Sequence, residues 1–192
     1  MSNTSQTKYI ALLRGVNVGG NNIVKMADLK DAFERQGFQN VVTYINSGNV
    51  LFDSELDGAA VKSDCERLLE SSFGLKIPVG IISAAELRGA LAHAPDWWNS
   101  DPKSRHNAIF VIPPMTAEAV CTQVGDIKPE YEKAAYHGKV IFWSAPLATF
   151  SHTRWSKVVQ SKEAYNAITI RNANTALKLA ELAGGTQAWL TS

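Results

Sequence analysis

The chain predicts an α+β fold built twice over, and three observations carry that prediction. Strand-like and helix-like apolar windows follow one another in the order β-α-β-β-α-β; the same order returns in the second half; and 192 residues hold two small domains. This order is the split βαβ or ferredoxin-like signature, so two tandem ferredoxin-like units with a C-terminal helix are expected.

Lys8 to Arg14 is an apolar run between charged ends, as suits a strand buried on both faces, and the glycine-rich segment from Gly15 to Asn22 breaks it. Met26, Leu29, Lys30 and Phe33 follow at helical spacing and stop at Gly37. Val41 to Asn46 and Val50 to Asp53 flank Ser47-Gly48-Asn49 and predict a hairpin. A helix from Ala59 to Phe73 and a strand from Val79 to Ser83 complete the first unit, residues 1–83. Residues 84–106 are expected to connect the units through a helix, Ala84 to His93, and a proline-bounded loop carrying Trp97 and Trp98. The second unit, residues 107–192, should contain strands at Ala108 to Ile112, Glu132 to Tyr136, Val140 to Ser144 and Ala167 to Arg171. Helices are expected at Thr116 to Val124, Trp155 to Tyr165 and Asn174 to Ala183, the last ending at Gly184-Gly185. The halves share element order and little residue identity.

Composition fits a globular chain with a real core: 45% apolar residues and seventeen aromatics. The first residues carry no basic flank or apolar stretch of the signal-peptide kind, and no run approaches the roughly 18 residues of a membrane span. Cys65 and Cys121 fall on apolar helix faces and read as free thiols, which suits a cytoplasmic protein.

Arg14-Gly15-x-Asn17-x-Gly19-Gly20, Lys25-Met26, Leu29, Gly37-Phe38, Thr43-Tyr44, Ser47-Gly48-Asn49 and Thr169-x-Arg171-Asn172-x-x-Thr175 form a pattern from about Tyr9 to Ala183. That pattern resembles the bacterial family known as domain of unknown function 1697. The resemblance implies two tandem ferredoxin-like units and brings no activity, substrate or cofactor.

Arg14 to Asn22 is the richest candidate site. Glycines let backbone N–H groups turn outward, the following helix adds a positive end, and Asn17, Asn21, Asn22 and Lys25 supply donors, a combination that holds phosphate or carboxylate. The alternative is a strand-to-helix turn in which asparagine and glycine take positive φ angles. The segment lacks the Gly-Lys-Ser/Thr of a P-loop and the G-x-G-x-x-G of a dinucleotide fold, so no cofactor is expected. Crossover topology places the loop after the first strand beside the hairpin, so Gly15, Gly19 and Gly20 should neighbour Ser47, Gly48 and Asn49. In the second unit the same logic brings Ser151-His152-Thr153-Arg154 toward Arg171-Asn172, where Arg154 and Arg171 could fork a planar anion. Asn172 or Asn174 also serves as an ordinary helix cap.

His152 is the one histidine placed for acid-base work, with a surface-loop role as its alternative. The four histidines and two cysteines have no metal-ligand spacing, so no metal is expected. Charge divides along the chain: residues 1–132 carry net −4 and residues 133–180 net +6. A basic segment interleaved with aromatics points to an anionic ligand. The sequence therefore predicts a protein that binds a small anionic metabolite or nucleotide in a groove between its units, and no motif assigns a reaction. The alternatives are an RNA or single-stranded nucleic-acid binding module, although the RNP1 arrangement is missing near Gly48 to Phe52, and a ligand-free assembly module.

Overall fold

A computed structural model describes residues 6–184. Within them the chain divides into two compact units, one of residues 6–85 and 179–184, the other of residues 86–178. Each contains a four-stranded antiparallel sheet.

The first unit runs β1 (Thr7–Leu13), α1 (Met26–Arg35), β2 (Gln39–Tyr44), β3 (Asn49–Ser54), α2 (Gly58–Phe73) and β4 (Val79–Ser83), with strand order β2-β3-β1-β4. Ile10, Ala11, Leu12 and Leu13 are fully buried, so β1 is covered on both faces, as its unbroken apolar run requires. Tyr9, Ala11 and Leu13 share a core with Leu29, Ala32 and Phe33 of α1 and Val61, Cys65, Leu68 and Leu69 of α2. The two helices thus meet one face of the sheet, where Phe33, Phe38 and Phe52 cluster. Asp57 caps α2 by accepting from the N–H groups of Ala59 and Ala60. β2 begins two residues earlier than its apolar pattern suggests, because a bulge between Gln39 and Val42 lets Asn40 reach the Asp53 carboxylate at 2.7 Å.

The helix α3 (Ala84–Ala92) begins at the division between the units; the second unit then runs β5 (Ser104–Val111), α4 (Ala117–Val124), β6 (Lys133–His137), β7 (Val140–Pro146), α5 (Lys162–Asn166), β8 (Ile168–Asn172) and the first six residues of α6 (Ala173–Leu182), with strand order β6-β7-β5-β8. Ile109, Ile141, Trp143, Val120 and Trp155 lie in its core. Trp98 is buried here too, with its indole N–H donating to the Asn107 carbonyl and its ring edge-on to Phe142.

Two expectations for this unit change. β5 starts at Ser104, four residues before the apolar stretch, because Ser104 to Asn107 pair in register with Pro146 to Trp143; strand pairing prevails over local polarity. The single helix expected from Trp155 to Tyr165 is instead a 3₁₀ segment, Trp155–Gln160, followed by the short α5. Trp155, Val158 and Ala164 are the buried residues, multiples of three apart as a 3₁₀ turn presents them, and the β-branched Val158-Val159 pair weakens a continuous α-helix. Gly185 lies outside the described residues.

Candidate functional site

The glycine loop and the hairpin do meet. The Leu13 N–H donates to the Gly48 carbonyl at 2.8 Å, and the Asn17 side-chain amide donates to the Asn46 carbonyl at 2.8 Å. Asn17 takes a positive φ of 56° and also binds both backbone groups of Val24, while Asn22, at φ 49°, donates to the Gly15 carbonyl. These asparagine amides hold the loop onto its own backbone and onto that of the hairpin, the turn-forming role. Gly15, Gly19, Gly20 and Lys25 are exposed, and Arg14 is half-buried.

Asn49 is the first residue of β3 and fully buried; its amide donates to the Tyr44 carbonyl and the Ser47 hydroxyl, closing the turn from inside rather than presenting an amide to a ligand. Gly48 has φ +73°, and a Cβ there would come within 2.8 Å of the Leu13 Cβ. Gly48→Ala is expected to cost about 2–4 kcal/mol, combining left-handed strain with an overpacked contact. Gly20→Ala, at φ +79° with open space around it, should cost about 1 kcal/mol. Denaturant midpoints compare the two, and equal losses would refute the close approach.

In the second unit the site residues separate. The backbone N–H of Arg154 donates to the Glu132 carboxylate at 2.6 Å and its guanidinium to the Asp126 carbonyl at 3.4 Å, toward β6. Arg171 lies on β8, the opposite edge strand, and is 8% exposed. Its guanidinium donates to the Thr169 hydroxyl and the Ile170 carbonyl, and burial lowers its pKa to about 10. Asn172 accepts from the Thr175 N–H at 2.8 Å and so caps α6. His152 is exposed, edge-on to the Tyr131 ring, with its carbonyl accepting from Lys128. Phe142 and Trp143, which a base-stacking sheet would display, are buried.

Features that motif reading missed lie in this unit. A cleft of about 460 Å³ opens at the head of α6, lined among others by Asn172, Asn174, Asp101, Arg105 and His106. The Arg105 guanidinium stacks over the Phe150 ring at 4.3 Å. Asp101 accepts from the Ser104 hydroxyl and the Lys103 N–H, bonds that lower its pKa and keep it ionised. His106 also lines a second cavity of about 260 Å³ with Ser144, Lys133, Trp97 and Tyr131. There His106 Nδ1 stands 2.6 Å from the Ser144 hydroxyl and Nε2 2.7 Å from the Asp101 carbonyl. A carbonyl only accepts, so in the neutral ring Nε2 carries the proton and Nδ1 accepts from Ser144. Sequence hides this pair because 38 residues separate its members; strand register joins them, His106 opposite Ser144. A third cavity, about 610 Å³, is lined by Tyr136, Trp155 and the half-buried Cys121, whose thiol pKa burial pushes up.

Among the described residues no group of three or more His, Cys, Asp or Glu is arranged to hold a metal, and no helix is long and apolar enough to cross a membrane.

Of the solved structures, that of a conserved bacterial protein from Streptococcus pneumoniae is similar with a TM-score of 0.83 and 29% identity, over 93% of this chain and 99% of the other. An unknown protein from Galdieria sulphuraria aligns over 88% of this chain and 98% of its own at 13% identity, with a TM-score of 0.26. None of the curated proteins matches. Residues 6–142, well over half of the chain, match the family model described as "Protein of unknown function (DUF1697)", and the chain belongs to that family.

Proposed function

We propose that the protein consists of two ferredoxin-like units and binds a small anionic metabolite or nucleotide at the head of α6. Support for the first part is that each sheet follows the same strand order, β2-β3-β1-β4 and β6-β7-β5-β8. The observation that carries the second is the cleft of about 460 Å³, whose lining includes Arg105, His106 and the residues at the positive end of a ten-residue helix. This location is favoured over the glycine loop because Asn17 and Asn22 already bind backbone there. Asp101 on the same cleft selects ligands that carry a hydroxyl or amine beside the anion.

A thermal-shift series with inorganic phosphate, nucleoside monophosphates and hydroxycarboxylates tests the reading. At one hundred times the dissociation constant a ligand stabilises by about 2.7 kcal/mol, a rise of several degrees. Arg105→Ala should remove most of that rise. No shift in the unmodified chain, or a shift that survives Arg105→Ala, overturns it.

A further inference from the structure

We propose that Ser144 and His106 are the nucleophile and general base of a hydrolase for small carboxylic esters, with Lys133 beside them to meet the oxyanion. The pair has the geometry such chemistry needs: nucleophile and base within hydrogen-bond reach, and the base held by a third group. Ser144 stands 2.6 Å from Nδ1, and the Asp101 carbonyl 2.7 Å from Nε2 fixes the tautomer that leaves Nδ1 able to accept a proton. Lys133 is opposite Ser144 on β6, as His106 is opposite it on β5, so the three form one row on one face of the sheet. All three line the cavity of about 260 Å³, which suits a short acyl chain.

In the first half of the reaction the Ser144 oxygen attacks the ester carbonyl carbon, its proton passes to His106 Nδ1, and the carbonyl π pair moves onto oxygen. Collapse re-forms the carbonyl and breaks the bond to the alcohol, which leaves with the proton from Nδ1. Water then attacks the acyl-serine, giving a proton to Nδ1; the second collapse returns that proton to Ser144 and releases the carboxylic acid. Ester and water give acid and alcohol.

The full chain is incubated with a fluorophosphonate probe and the adduct mapped by peptide mass, while hydrolysis of p-nitrophenyl acetate and butyrate is followed in parallel. One adduct on Ser144 and measurable hydrolysis are expected. Ser144→Ala should abolish labelling, and His106→Ala should slow both reactions about 10²–10⁴-fold with the melting temperature kept within a few degrees. Lys133→Ala should slow hydrolysis at least about tenfold. No adduct on the unmodified chain, an adduct elsewhere, or a folded His106→Ala that reacts as fast overturns the proposal; the map of the unmodified chain decides even where a variant fails to fold. The proposal does not rest on the anion cleft: a chain that is stabilised by phosphate but takes no adduct loses the hydrolase and keeps the cleft.

Discussion

Glu132→Ala is expected to destabilise the second unit by about 3–5 kcal/mol. Its carboxylate is 2% exposed and accepts four hydrogen bonds, from the backbone N–H groups of Lys128, Arg154 and Trp155 and from the Trp143 indole. Alanine leaves those donors without their acceptor. The bonds from Lys128 and Arg154 are part-buried, those from the Trp143 indole and the Trp155 N–H are buried, and each unsatisfied group costs about 1–3 kcal/mol. A cavity the size of the lost side chain adds to this. Glu132→Gln keeps the shape and one acceptor but turns an amide toward donors, so its loss should fall between alanine and the unmodified chain. Trp97, Trp98, Trp143 and Trp155 all belong to the second unit, so tryptophan fluorescence in a urea titration reads its unfolding. An alanine variant within about 1 kcal/mol of the parent would show that the carboxylate does not organise the segment after β7.

The first unit should respond most to Phe52→Ala, with a loss of about 3–5 kcal/mol. Phe52 is fully buried, and its ring lies 4.4 Å from Phe38, 5.4 Å from Phe33 and 6.2 Å from Tyr9, centroid to centroid. Three elements therefore lean on one side chain: β1 through Tyr9, α1 through Phe33, and the entry to β2 through Phe38. Removing the ring deletes its transfer term and leaves a void that the surrounding strands can only partly close. A double-mutant cycle with Phe38→Leu should reveal a coupling of about 0.5–1.5 kcal/mol beyond burial. Far-ultraviolet circular dichroism in urea reads both units, and the part of its transition that tryptophan fluorescence does not follow belongs to this one, which has no tryptophan among its described residues. Additive losses would mean that the rings merely share a core.

The glycine loop shows how far residue types alone can carry a site. Its asparagines were legible as both ligand donors and turn formers, because the same amide serves either end. Which one applies depends on what faces the amide: for Asn17 it is the Asn46 and Val24 carbonyls, so the turn role applies. Arg171 illustrates the opposite difficulty. An arginine at a strand exit, brought toward Arg154 by the element order, reads as half of an anion fork, yet β8 is the edge strand away from Arg154 and carries Arg171 inward beside Thr169. A cap at Asn172 or Asn174 was legible because capping needs only a partner three residues ahead, and the structure gives the role to Asn172.

By itself the sequence determined the element order of both halves, the continuous burial of β1, the convergence of loop and hairpin, and the family pattern. All of these follow from local spacing and from the handedness and pairing rules that connect neighbouring elements. Tertiary structure decided the 3₁₀ course after Arg154, the buried Glu132 that receives it, the cleft at α6, and the meeting of His106 with Ser144. Each depends on registers and packing between residues far apart in the chain, and a one-residue slip of β7 against β5 would turn Ser144 to the other face and abolish the pair.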